Sequence, residues 1–160
     1  MDINRTHRSF VSYIDKGRNY YEAQGYERPH EWAHFDEVPF ARLDKPLSDC
    51  RVGVVTTANK AAMQGPRSTK LFAALNRESG HLHTDMAWDR DATHTDDPET
   101  YLPVARLSEC VDRGTIGSIS ERFYGAPTDY SKRTTLQDDA PQIEAWMRED
   151  GVDVALLVPI

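Results

Sequence analysis

The chain has 160 residues and a net charge of -7, with a mean hydropathy of -0.66; it suits one core that buries about two-thirds of the unfolded surface. A pI near 5.3 argues against a general nucleic-acid surface, though a few local arginines can still hold a small anionic substrate. No apolar run reaches transmembrane length and the N-terminus lacks a signal peptide's apolar stretch, so a non-membrane, cytoplasmic protein is expected.

Residues 10–24, FVSYIDKGRNYYEAQ, space Phe10, Tyr13 and Ile14 for one or two short helices with an aromatic stripe. The following stretch has several prolines and no period, and it reads as an extended arm. Its Trp32, Phe35 and Phe40 are costly to leave in water, so they are expected to pack on the parent domain or a partner subunit. Residues 1–49 are thus assigned to an N-terminal helix and arm, and 50–160 to an α/β domain completed by a partner chain.

RVGVVTT, residues 51–57, has the near-continuous apolar run of a buried parallel strand. Thr56, Thr57 and Ala58 then fall at the strand's C-terminal edge, where α/β proteins bind ligands. Threonine hydroxyls and free N–H groups there can cradle a carboxylate, although a threonine pair can equally just finish a strand. GPRSTKLFAALNRESG predicts a short helix with Leu71, Ala74 and Leu75 on its apolar face.

The polar segment HLHTDMAWDRDATHTDD is the densest in chemistry. His81, His83, Asp85, His94, Asp96 and Asp97 offer nitrogen and oxygen ligands for zinc or iron(II). The same residues can instead cap turns, or move a proton between histidine and an orienting carboxylate. His-Glu-x-x-His is absent.

PVARLSECVDRG predicts a helix from Pro103 to a stop at Gly114, with Leu107 and Val111 on one face. Arg106 within it either reaches a substrate carboxylate or lies on a solvated face. TIGSISERFYGAP is ambiguous between a short strand and a turn-rich edge; Tyr124 either lines a pocket or simply packs. Residues 134–149 predict a helix with Ile143, Trp146 and Met147 on its apolar face and Gly151 as its stop, followed by the buried strand VDVALLVPI. Strand, crossover helix, strand predicts an α/β three-layer sandwich with a mainly parallel central sheet. Cys50 precedes the first strand and Cys110 lies within a helix; both read as buried thiols.

Taken in order, LSDCRVGVVTTA, the His/Asp-rich loop, YLPVARLSECVDRGTIGSISERFYG and DAPQIEAWMREDGVDVALLVPI resemble the selenoprotein B family of glycine, betaine, sarcosine and D-proline reductases. The resemblance covers most of residues 38–160. It implies an α/β fold and a strand ending in two threonines, matched by Thr56 and Thr57. It further implies a selenocysteine or cysteine centre directly after the strand matched by VALLVPI, a position that would come after Ile160. The family's glycine pair after the threonines is replaced by Ala58 and Asn59, and an asparagine common in the family is Glu99 here. A nucleophile of low pKa is needed for reductive C–N cleavage, and neither cysteine of this chain is expected at the right sheet edge.

The resemblance therefore implies a subunit of a reductase-like complex. The thiol or selenol centre, or a pyruvoyl group, would lie on a partner chain. Thr56 and Thr57 would hold the substrate carboxylate, Arg106 would face an anionic group, His83 or His94 would move a proton, and Asp85 and Asp96 would orient them. A His- or metal-dependent lyase, hydrolase or isomerase of a small carboxylic acid is the alternative from the polar loop. A noncatalytic binding or assembly subunit is the third reading.

Overall fold

The computed structural model describes residues 13–26, 36–38, 41–60, 71–84, 95–126 and 131–160. The chain divides into two compact units, residues 1–40 and 41–160. Residues 41–49, read from the sequence as the end of the arm, lie in the second unit: Lys45 Nζ pairs with Asp153 at 2.7 Å. Phe10, Trp32, Phe35 and Phe40 lie outside the described residues.

In the first unit, α1 spans Tyr13–Ala23. Gly25 has φ of 81°, donating to Glu22 O while Tyr26 N–H reaches back to Tyr21 O. This left-handed glycine stop satisfies carbonyls that the helix end would otherwise orphan. The Tyr21 and Tyr26 rings meet edge to face at 5.7 Å across it, the apolar contact that such stops commonly carry.

The second unit is a mixed α/β fold with a largely parallel central sheet flanked by helices. β1, Arg51–Thr56, is its axis. It pairs in parallel with β5, Val154–Val158, on one side. On the other side it pairs in parallel with β3, Ser118–Ile119, and then with β4, Arg122–Gly125. β2, Phe72–Leu75, adds antiparallel to β4 at the far edge.

The ambiguous TIGSISERFYGAP segment is both a strand and a break. β3 and β4 share one lane, and between the Val52↔Ile119 and Val55↔Tyr124 pairs β1 has two residues where this lane has four. Asn76 clamps the resulting bulge: its N–H donates to Glu121 O at 2.9 Å and its Nδ2 donates to Ser120 O at 2.7 Å. Carbonyls displaced from the ladder are thereby satisfied.

Phe72–Leu75 corrects the expectation of a helix. LFAAL carries apolar residues at helical spacing, but its strand partner supplies what local propensity does not. Phe72 lies directly opposite Gly125, where a Cβ would collide with the Phe72 ring, and it meets Phe123 edge to face at 5.7 Å. An aromatic covering a glycine across the ladder favours pairing over a short, marginal helix.

α2, Val104–Asp112, and α4, Ala140–Glu149, flank opposite faces of the sheet. Val54, Phe123, Ala74, Leu82, Tyr101 and Leu102 form the buried core on one face, with Val104 and Leu107 of α2 against it. Side chains alternate along a strand, so Val55, Ala155 and Leu157 take the other face, beside Ile143 and Met147 of α4. Gly114 and Gly151, with φ of 70° and 64°, end these helices as the sequence predicts. Thr115 N–H donates to Cys110 O and Val152 N–H to Met147 O, repeating the stop seen at Gly25.

The last helix starts earlier than expected. α3, Lys132–Thr134, leads through a π-helical turn, Thr135–Asp139, into α4. Ala140 N–H donates to Thr135 O, immediately before Pro141. Proline has no N–H and its ring crowds the carbonyl four residues back, so a widened turn there relieves the helix. Trp146 is only half-buried and α4 has no fully buried residue.

Candidate functional site

The two ends of the parallel strands differ in chemistry. At the N-terminal end and the adjoining face, charged groups are tied together. Arg122 donates to Asp150 through Nε at 2.8 Å and Nη2 at 2.8 Å, a bidentate geometry that guanidinium and carboxylate match well. Arg122 also reaches Glu149 at 3.1 Å. Tyr124 donates its hydroxyl proton to Asp150 at 2.5 Å, and Arg51 Nη1 donates to Asp150 O at 2.6 Å. Asp153 accepts from Arg51 N–H at 2.7 Å. These bonds fasten the end of α4 to β4 and β1.

The electrostatics follow from the pairing. Burial pushes the Tyr124 hydroxyl up to about 12, with the Asp150 hydrogen bond acting in the same direction. Burial alone would raise Asp150, but the Arg122 and Tyr124 hydrogen bonds outweigh it and hold this carboxyl below its ordinary range. Arg51 N–H and Lys45 depress Asp153 in the same way. Of the two roles read for Tyr124, lining a pocket or plain packing, the structure shows the second: it is fully buried and anchors the last helix.

At the C-terminal end of β1 stand an amide, hydroxyls and two imidazoles. Asn59 and His83 exchange two backbone hydrogen bonds at 2.8 Å each, which brings the His81–His83 segment beside the end of β1. The His81 and His83 rings meet at 4.9 Å. Thr95 Oγ1 lies 3.3 Å from His81 Nε2, and the hydroxyl of fully buried Tyr101 accepts from Leu82 N–H at 3.4 Å. Asn59 is 3% exposed, and among the described residues its Nδ2 has no hydrogen-bond partner. A buried donor left unmade costs about 1–3 kcal/mol, so a bound acceptor would have much to gain there.

Both threonines are engaged by backbone. Thr56 Oγ1 is buried and accepts from Ala58 N–H at 3.1 Å. Thr57 Oγ1 accepts from Ile160 N–H at 2.9 Å and donates to Ile160 O at 3.2 Å, extending the β1–β5 pairing beyond Pro159. They shape the sheet edge, and the donor beside it is the Asn59 amide. The sequence signal for Asn59 is its place in TTANK, directly after the strand and its two threonines.

Arg106 is solvated. Its side chain is 67% exposed and pairs with Glu109 at 2.7 Å, one turn along α2. The N-terminus of α2 is filled from within, because Glu99 accepts from Ala105 N–H at 3.1 Å and Arg106 N–H at 3.0 Å. A carboxylate at this position suits the helix dipole. Asp97 similarly accepts from Glu99 N–H at 3.0 Å. Asp85 and His94 lie outside the described residues; among those described, no three His, Cys, Asp or Glu side chains converge as metal ligands.

Cys50 is buried just before β1, with Pro46 O 3.4 Å from its thiol. Cys110 is half-buried in α2 and accepts from Arg113 Nη2 at 3.2 Å. No contact joins either thiol to the Asn59–His83 edge among the described residues, and no described helix is long and apolar enough to cross a membrane. Compared with family models, curated proteins and solved structures, the chain returns no match.

Proposed function

We propose that this chain is the substrate-holding subunit of a reductase-like complex, resembling the selenoprotein B reductases, that acts on a small amino-acid-like carboxylate. The observation that carries the reading is the unpartnered, buried Asn59 amide beside the paired His81 and His83. A carboxylate oxygen is the acceptor that this donor lacks, and an imidazole next to it can move a proton at neutral pH. The placement of both cysteines away from this edge fits a redox nucleophile supplied from outside residues 1–160, whether a thiol, a selenol or a pyruvoyl group.

Calorimetric titration with glycine, sarcosine, betaine and D-proline tests it. At least one is expected to bind, and Asn59→Leu is expected to weaken that binding on the order of tenfold, the cost of one hydrogen bond to a charged group. No binding by any of them, or equal binding to the variant, would overturn the reading.

The imidazole pair supports a second reading, a His- or metal-dependent lyase, hydrolase or isomerase. Zinc or iron(II) binding that disappears in both His81→Ala and His83→Ala would favour it. Ligand binding with no turnover in any reconstituted mixture would leave a noncatalytic binding subunit.

A further inference from the structure

We infer that β5 is a self-pairing edge through which two copies of this chain associate about a two-fold axis at Leu156. Among the described strands β5 pairs only with β1. Asp153 N–H donates to Arg51 O, and in a parallel ladder alternate residues turn their backbones to the same neighbour. Ala155 and Leu157 therefore face β1, which leaves the N–H and C=O groups of Val154, Leu156 and Val158 facing outward. The strand itself, VALLV, carries none of the charges, prolines or bulges that natural edges use against pairing.

The sequence of β5 fits its own copy. An antiparallel pairing centred on Leu156 places Val154 opposite Val158 of the second copy and pairs every outward backbone group. On the α4 face it sets Leu157 beside Ala155 of the second copy, large against small, twice by symmetry. Leu157 is 70% exposed and borders a groove of about 490 Å³ lined by Val55, Ile143, Met147, Val152 and Ala155. The second copy's Leu157 enters that groove beside Ala155. The groove's charged groups are Glu144, Asp153 and Arg148; Glu144 pairs with Arg148 and Asp153 with Lys45, so each acid has its own cation and the two-fold brings no unpaired like charges together.

A five-residue ladder alone falls short of the roughly 1,200–2,000 Å² that stable interfaces bury. The α4 groove is therefore an integral part of this one. The net charge of -7 per chain opposes association, so salt strengthens it.

Sedimentation velocity of the 160-residue chain across a concentration series tests the proposal, with the dimer expected at twice 18.2 kDa and more abundant in higher salt. Leu157→Lys should weaken dimerisation at least about tenfold with circular dichroism unchanged. Leu156→Cys, at the axis, should cross-link to its own copy under mild oxidation, whereas Val154→Cys should not. A monomer at every concentration, a dimer indifferent to Leu157→Lys, or equal cross-linking at both positions would overturn it. Because these readouts need no ligand, their failure is separate from failure of the Asn59 site.

Discussion

The two ends of one parallel sheet use polar residues in opposite ways. At one end Arg51, Arg122, Asp150, Asp153 and Tyr124 are locked in short hydrogen bonds that hold α4 in place. At the other, Asn59 keeps a buried donor without a partner beside the half-buried His83 and the exposed His81. Charge density alone would direct a search for function to the first end. Satisfaction of hydrogen bonds directs it to the second, because groups already paired in the folded chain have little left to offer a ligand.

The sharpest test of this contrast is Asp150→Ala. It leaves Arg122 and Tyr124 without their common acceptor, and removing one partner of a half-buried pair should cost about 2–3 kcal/mol in urea unfolding. His83→Ala should change stability by about 0.5 kcal/mol or less, since its backbone bridge to Asn59 remains. Equal costs at the two positions would erase the distinction between structural and available ends.

Next in size is Tyr124→Phe, expected to cost about 1–2 kcal/mol and to change the pH profile of unfolding. The folded Tyr124 pKa is pushed up to about 12. Its contribution is thus fully present below about 10, the ordinary tyrosine value, and is lost as pH rises through the folded value. The phenylalanine variant should lose that alkaline limb. The acid limb should persist in it: Asp150 and Asp153 have depressed pKa values, so their stabilisation is present above about 3.9 and lost as pH falls through the folded values.

Much of the architecture is legible in the sequence. The apolar run at β1, the helix ending at Gly114 and the Gly151 join into β5 are local signals, each created by residues within a few positions of each other. β2 was not legible, because LFAAL satisfies a helical spacing and only the distant Gly125 makes a strand of it. The clamp was hidden for the same reason: Arg122 and Asp150 are 28 residues apart, with no local pattern to join them. For the candidate site, the sequence points to the edge after β1 and to His83; the Thr56 and Thr57 hydroxyls it offers are engaged by backbone, and Arg106 is exposed and pairs with Glu109. Glu99, which stands where the resembled family commonly has an asparagine, caps α2.

Small expected effects on stability discriminate best between the two ends. Trp146→Ala, at a half-buried position, should cost about 1–2 kcal/mol in urea unfolding, below the 3–5 kcal/mol of a fully buried aromatic. Asn59→Leu probes the available end directly. It removes a buried donor that nothing satisfies, and replacing such a group with an apolar one of similar volume is close to neutral or stabilising, within about 1 kcal/mol. The same change removes the donor that the ligand requires. Ligand affinity should therefore fall in this variant while the unfolding midpoint holds or rises. A stability loss of several kcal/mol at Asn59 would instead make it a structural residue like Asp150, and the two ends of the sheet would then be alike.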